Sequence, residues 1–364
     1  MLQVLQTIFT IFLCFVLSGF NPQGFKAVME ERKELASPTM DESVRGMLKG
    51  TFIQSWLSVA LKEADWDTEL GKMKALGMEY LVFQTELSGG TLYNTDPAVE
   101  NDTLSIVLKY AKKHGIKLIV GLTDGSTLYY AWPDAFTTAL TPWRVPFAEF
   151  HEKDLAEAEK MMREILEKYG EAYDEQIYGW YFAHEFFNNP LYGQAAWKSI
   201  GKQLNGYVQK IENSSAPNKP LILSPYYLIG TPYVRPNNFV SGLRTLFAEA
   251  KFRPFDVFMP QDGFGTDSQQ LPVDIVVPSL LTPWIQAMSQ VAAEYDVRFW
   301  INNEAFMTAN IETRPPEQLV QMVRATDEYT DTHFIFSWNH YYSATFYKDK
   351  ADLEQRFADI FAPN

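Results

Sequence analysis

Cysteine is almost absent from this chain: of 364 residues, only Cys14 is one. It lies inside an apolar N-terminal stretch and has no convincing lipobox after it. If that stretch is removed, the remaining chain has no thiol, which excludes disulfides and cysteine chemistry. Histidine is scarce as well, with five residues, and no HxH follows the first strand pattern. That weighs against a metal-dependent hydrolase built from His184, Glu185, Asp262 and Glu304. Positive charge is in deficit: 31 Lys and Arg face 45 Asp and Glu, for a net charge of −14 and a pI near 4.9. Such a balance excludes nucleic acid and anionic membrane surfaces as natural partners. Nor does a GxGxxG or P-loop follow the first strand pattern, which removes a doubly wound nucleotide-binding sheet.

Met1 to about Gly19 is one apolar run, shorter than a comfortable membrane span and followed by polar sequence. It reads as an export signal without the usual positive n-region, cleaved near Ser18-Gly19. The expected destination is the bacterial periplasm or the extracellular space, with no membrane span left after removal. Residues 20–48 form a polar lead-in, and 49–364 one catalytic domain.

Hydrophobic residues make up 46% of the chain and charged residues 21%, enough for a sizeable core. Aromatics reach 15%, a surplus that either fills that core or lines a site for flat apolar surfaces such as sugar rings. From about Lys49 an apolar run of strand length alternates with an amphipathic run of helix length. The strand patterns are Gly50–Gln54, Tyr80–Gln84, Lys117–Leu122, Ile177–Glu185, Pro220–Tyr226, Asp256–Asp262, Val297–Glu304 and His333–Asn339. They lack clean alternation, as expected of parallel strands covered on both faces. Helical patterns lie between them. Asp65–Gly77 and Lys153–Gly170 each close on glycine, Arg314–Tyr329 opens on prolines, and Ala351–Phe361 ends the chain. Eight βα units in series predict a single (β/α)₈ TIM barrel.

Catalytic groups of such barrels sit at the C-terminal strand ends. Those ends carry Gln54, Gln84, Asp124, His184-Glu185, Tyr226-Tyr227, Gln261-Asp262, Asn303-Glu304 and Trp338-Asn339-His340. An apolar run that stops at a carboxylate needs a reason, because an ionised carboxyl is costly to desolvate unless paired or used. Glu185 and Glu304 end the fourth and seventh runs, so both are expected at one mouth. Asp262 either starts a turn or competes with Glu304 as the partner of Glu185. Asp124 reads as a turn residue. His184 either orients Glu185, binds substrate or is a satisfied inward histidine. Trp338 is either core or a platform for the apolar face of a sugar. The long segment from Thr123 to Ala148, with Tyr129, Tyr130, Trp132 and Trp143, is expected to wall the cleft.

The runs GTFIQSW (Gly50–Trp56), GMEYLVFQ (Gly77–Gln84), GWYFAHE (Gly179–Glu185), DVFMPQDG (Asp256–Gly263) and FSWNHYY (Phe336–Tyr342) carry a resemblance. Over about residues 48 to 360 the chain resembles a bacterial TIM-barrel family described as glycosyl-hydrolase-like domains of unknown function. More distantly it is similar to the clan of retaining (β/α)₈ glycosidases with glutamates on strands four and seven. The resemblance implies Glu185 as acid/base, Glu304 as nucleophile and Trp338 as aromatic platform. The chain departs from the clan in having His184 where asparagine is common, and Gln261-Asp262 where a strand-six tyrosine often touches the nucleophile.

The expected activity is hydrolysis of a polysaccharide or oligosaccharide with retention, and no cofactor. Glu304, kept ionised by Asn303, attacks the anomeric carbon while Glu185 protonates the leaving oxygen. Gln54, Gln84, His184, Tyr226, Gln261, Asp262, Asn303, Trp338 and Asn339 are the expected substrate-binding groups. Retention calls for carboxyls about 5–5.5 Å apart, inversion for about 6.5–9.5 Å. The alternatives are a glycosidase using Glu185 with Asp262 and a non-catalytic carbohydrate-binding barrel.

Overall fold

A computed structural model describes residues 26–28, 30–31, 33, 42–87, 90–96, 98–123, 148–188, 192–227, 229, 236–265, 277–307, 312–330 and 332–364. The apolar residues 1–19 expected to act as an export signal, Asp124, and the aromatics expected to wall the cleft (Tyr129, Tyr130, Trp132, Trp143) lie outside the described residues. Eight staves run parallel: β1 (Leu48–Ile53), β2 (Tyr80–Gln84), β3 (Lys117–Leu122), β4 (Ile177–Phe182), β5 (Leu221–Leu223), β6 (Val257–Phe258), β7 (Arg298–Phe299 with Ile301–Glu304) and β8 (His333–Phe336). Each pairs with the next, and β8 pairs back onto β1 through Gly50↔Phe334 and Thr51↔Ile335. The seventh stave is broken at Trp300. Its first half pairs with β6 and its second with β8, so together they close the TIM barrel.

Helices follow the staves: α1 (Glu63–Ala75), α2 (Thr103–His114), α3 (Ala148–Tyr173), α4 (Gln194–Glu212), α5 (Pro236–Ala250), α6 (Pro278–Glu294), α7 (Pro316–Thr326) and α8 (Ala351–Phe361). Their ends follow from local chemistry. Gly77 and Gly115, at φ +82° and +67°, take the left-handed turn after α1 and α2 that other residues resist. Gly170 does not end α3, which runs on to Tyr173. Met161, Met162, Ile165 and Tyr169 are buried along that helix, and their packing outweighs the ~1 kcal/mol helical cost of one glycine. Among the described residues no helix is long and apolar enough to cross a membrane.

The barrel buries two separate apolar layers. Inside it, Phe52, Val82, Ile119, Tyr181, Ile222, Val257, Met259, Trp300 and Phe334 form one cluster, with at least one residue from every stave. Outside it, Ile53, Leu81, Phe83, Leu118, Val120, Phe182, Leu223, Phe258, Ile301 and Ile335 join the larger core beneath the helices. Successive side chains of a strand point to opposite faces, so these two sets give each stave its inward parity.

Several staves are shorter than their apolar patterns, and β4 ends at Phe182, before Glu185. Pro225 and Pro260 cannot donate to a ladder, and β5 and β6 end as regular strands before them. Paired backbone nonetheless continues on the sixth stave. Gln261 N donates to Pro225 O at 2.9 Å, Asn302 N to Pro260 O at 3.0 Å, and Asp262 N to Asn302 O at 2.9 Å. The alternation therefore holds through Asp262. At the eighth stave, the Ser337 hydroxyl accepts His340 N–H at 3.2 Å and starts a helical turn over Trp338–Tyr341. Trp338 and Asn339 are thus no longer strand residues.

The opposite end of the barrel is locked by a buried ion pair. Asp256 accepts from Arg253 Nη2 at 2.6 Å, Arg253 Nε at 3.0 Å and Leu221 N at 2.8 Å. Polar residues at that face serve the fold, which leaves the C-terminal mouth for chemistry.

Candidate active site

Inward parity on the fourth stave runs through Tyr181 and Ala183, both packed against the inner cluster, and the next residue on that face is Glu185. Its Oε1 accepts from Gln261 Nε2 at 2.6 Å, while the same nitrogen lies 3.3 Å from Ser224 O. Gln261 shares its face with Val257 and Met259 of the inner cluster. Burial pushes the Glu185 carboxyl up to about 7, and the Gln261 amide only partly offsets this. Burial thus keeps a substantial protonated fraction of this carboxyl near neutral pH. Below it, the Tyr181 phenol is held neutral by burial and by the Glu185 charge.

Glu304 follows Trp300 and Asn302 on the inward face of the seventh stave and is fully buried. Its Oε2 accepts the Gly265 N–H at 2.5 Å, and its own N–H donates to Asp262 Oδ1 at 3.3 Å. Asn302 is buried beside it, giving its amide to Ser224 Oγ at 3.2 Å. Behind this group lies Arg314, 2% exposed, with its guanidinium 3.6 Å from the centre of the Phe264 ring. Arg314 Nη2 donates to Phe264 O at 2.7 Å and Phe306 O at 3.2 Å. Burial lowers this guanidinium to about 10, against the pull of the Asp262, Tyr342 and Glu304 charges. Arg314 is therefore a buried positive charge whose field reaches Asp262 and Glu304, a feature that its place before a Pro-Pro helix start conceals.

Gly265 is a position where only glycine fits. A Cβ there would lie 2.7 Å from Phe306 O and 3.0 Å from Glu304 Oε2. Gly265→Ala is expected to push the turn off Glu304 and cost stability of about 1–3 kcal/mol through overpacking. Losing the N–H donor should lower kcat by about 10²-fold. Parallel chemical denaturation and steady-state rates check both effects, and an alanine variant with normal kcat would disconnect this turn from Glu304.

Several expected site residues face the helix layer instead. His184 is out of phase with Glu185. Its Nε2 lies 2.8 Å from Oδ1 of Asp154 on α3, whose Oδ2 accepts from Tyr207 and Gln203. Burial raises the Asp154 carboxyl, but the bonds from His184 and Tyr207 outweigh it and hold the group below its usual value. Asp262 also points outward, fully buried, accepting from Asn303 Nδ2 at 2.9 Å and Phe264 N at 2.9 Å besides Glu304 N. Burial raises it to about 6, moderated by those donors and by Arg314. Asn303 spends its amide on Asp262, and its carbonyl lies 3.0 Å from His333 Nδ1, so it does not hold Glu304 directly.

Trp338 is 1% exposed and packs on Phe357 and Tyr342, which makes it core and not a platform. Asn339 is fully buried and donates to Glu69 Oε1 of α1 at 2.6 Å. Glu69 is itself fully buried, and burial raises its carboxyl despite bonds from Ser343, Thr345 and Asn339. The inward aromatic at the end of the eighth stave is Phe336, partly exposed and paired in register with Glu304.

The remaining expected residues stay at the mouth. Gln54 and Gln84, partly exposed, follow Phe52 and Val82 on the inward faces of the first two staves. Tyr226 is partly exposed after the fifth stave and stacks on Phe187 at 4.8 Å. The four residues considered as metal ligands do not converge, since His184 and Asp262 face outward while Glu185 and Glu304 face the lumen. Among the described residues no group of three or more His, Cys, Asp or Glu is placed to hold a metal ion.

The closed (β/α)₈ barrel carries Glu304, fully buried, and Glu185, partly exposed, at the mouth ends of its seventh and fourth staves. The chain belongs to the DUF4434 family, described as a domain of unknown function, whose model matches residues 48–347. A comparison with curated proteins found no match. Among solved structures, the chain is similar to a Bacteroides thetaiotaomicron VPI-5482 protein assigned provisionally as an alpha-L-fucosidase. The TM-score is 0.63 at 19% identity, over 87% of this chain and 96% of that one. It is also similar to an endo-1,4-beta-mannanase from Rhizomucor miehei, with TM-score 0.52 and 13% identity over 85% and 95% of the two chains. A third similarity is to the hyperthermostable endo-1,4-beta-D-mannanase of Thermotoga petrophila RKU-1, with TM-score 0.51 and 13% identity over 79% and 87%. At these identities the likeness is one of fold.

Proposed function

We propose that this protein is a glycoside hydrolase that cleaves its substrate with two carboxyls, Glu185 as acid/base and Glu304 as nucleophile. The observation that carries this reading is the contrast between their environments at one mouth. Burial drives Glu185 up to about 7, which favours the protonated form. Glu304 instead accepts the Gly265 N–H and lies in the field of the buried Arg314 charge, contacts suited to a carboxylate. Two carboxyls whose surroundings push them apart divide the work of acid and nucleophile.

In the first step Glu304 attacks the anomeric carbon as the glycosidic bond breaks, and the Glu185 proton passes to the leaving oxygen. In the second, Glu185 takes a proton from water, whose oxygen displaces Glu304 from the sugar. Gln261 keeps Glu185 oriented throughout, and Gln54, Gln84 and Tyr226 are the groups that meet substrate hydroxyls or ring faces. The outward bonds of Asp262 favour Glu304 over it as the partner of Glu185.

The test is a screen on aryl glycosides and polysaccharides, starting with L-fucosides and β-mannans because of the named structural neighbours. The anomer first released is then read by NMR. Retained product supports the double displacement, and inverted product would assign Glu304 as a base. Binding without turnover across the panel would favour a carbohydrate-binding barrel. We also propose export from the cytoplasm on the strength of the apolar residues 1–19, to be tested by N-terminal sequencing of exported protein.

A further inference from the structure

The first stave ends at Gln54, and the next turn, Ser55–Ser58, carries Trp56 with 55% of its surface exposed. The other described tryptophans (Trp66, Trp180, Trp197, Trp284, Trp300 and Trp338) are all buried. The exposed ring is nevertheless held in place. Its Nε1 donates to Gln54 Oε1 at 3.0 Å, and it meets the His340 ring edge-on at 5.2 Å. His340 Nε2 in turn accepts the Gln54 N–H at 3.4 Å. Burial, and after it the Lys350 charge, pushes this histidine down to about 4, so it stays neutral at working pH.

These contacts leave an indole whose polar edge is satisfied and whose faces are apolar. They also settle the Gln54 amide: its oxygen meets a donor-only indole, so its nitrogen remains as a donor. From Trp56 the aromatic surface continues inward. His340 lies 5.7 Å from Phe336, Phe336 lies 6.3 Å from Phe306, and Phe336 pairs in register with Glu304. An aromatic strip thus runs from the rim between the first and eighth staves to the side of one carboxyl.

We propose that Trp56 and Gln54 form a rim subsite for a sugar residue remote from the cleaved bond. The pyranose face stacks on the indole and a hydroxyl accepts from Gln54 Nε2. This rests on the glycosidase reading and deepens it: the preferred substrate is a chain of sugars, not a single glycoside. A remote ring gripped at the rim contributes binding energy that a short substrate cannot collect.

The experiment compares wild type, Trp56→Ala and Trp56→Phe on an aryl monoglycoside and on β-1,4-linked manno- and cello-oligosaccharides of about two to six units. Binding of the same oligosaccharides is measured in parallel by calorimetry. Trp56→Ala should lower the ratio of kcat/KM for the longest oligosaccharide over the monoglycoside about tenfold, with partial recovery in Trp56→Phe. The residue is exposed, so melting temperatures should stay level across the series. Hydrolysis with an unchanged ratio would overturn the subsite and leave the proposed activity standing. Binding that depends on Trp56 without hydrolysis would do the opposite. Neither binding nor hydrolysis would overturn both.

Discussion

Glu304→Gln is expected to abolish turnover while leaving the protein folded, and Glu185→Gln to cut it by about 10²–10⁴-fold on substrates with poor leaving groups. Both replacements keep shape. The glutamine at 304 can still accept the Gly265 N–H, and the one at 185 can still accept from Gln261, so neither site need rearrange. What disappears is the proposed nucleophile in one case and the proposed proton donor in the other. The Glu185 variant should recover much of its rate on aryl glycosides whose leaving groups need no proton, whereas the Glu304 variant should not. With the acid at about 7, wild-type activity falls as pH rises through that value, because the donor form is lost. In Glu185→Gln that alkaline limb vanishes. Activity that survives Glu304→Gln but not Asp262→Asn, in variants shown to be folded, would sink the assignment.

The eight-stave plan was legible because parallel strands covered on both faces leave long apolar runs between amphipathic segments. β2, β3 and α8 fall at the very residues their patterns mark. The same covering hid which way each strand-end side chain turns. In VRFWINNE both faces are apolar, so nothing in the string separates Asn302, Asn303 and Glu304 by direction. The inner cluster does so: Trp300 belongs to it, hence Asn302 and Glu304 face the lumen while Asn303 joins Asp262 outside. One alternation likewise moves His184 to Asp154 and keeps Glu185 at the mouth.

The aromatic platform was misplaced for a different reason. A serine cap at Ser337 ends the eighth stave two residues short of Trp338, so the inward ring there is Phe336. Long-range partners were beyond reach in principle. Nothing local announces that Gly265 would hold Glu304 from 39 residues away, or that Trp56 would be the one described tryptophan left at the surface. The placing of Glu185 and Glu304 on the fourth and seventh βα units was legible because stave number, unlike side-chain direction, can be counted from sequence.

Arg314→Met is expected to destabilise the fold by about 1–3 kcal/mol, since it leaves the buried Phe264 and Phe306 carbonyls without their donor and removes a positive charge that acts on Asp262 and Glu304. Asp262 and Glu304 are both fully exposed to this loss, being wholly buried and in the field of that guanidinium. The penalty should depend on pH, and its sign follows from Asp262. Burial already holds this carboxyl at about 6, above the ordinary aspartate range, and Arg314 is one of the groups limiting the rise. A carboxyl whose folded pKa is raised favours the folded state at low pH and costs stability as pH climbs through that value. Removing Arg314 raises it further. The variant should therefore lie nearer wild type at pH 5 than at pH 8, as urea unfolding at both values would measure. Arg314→Lys keeps the charge but loses the fork that spans Phe264 O and Phe306 O, so it should restore the pH response more fully than the stability. Equal destabilisation of Arg314→Met at both pH values would assign Arg314 a packing role on Phe264 and deny it an electrostatic one.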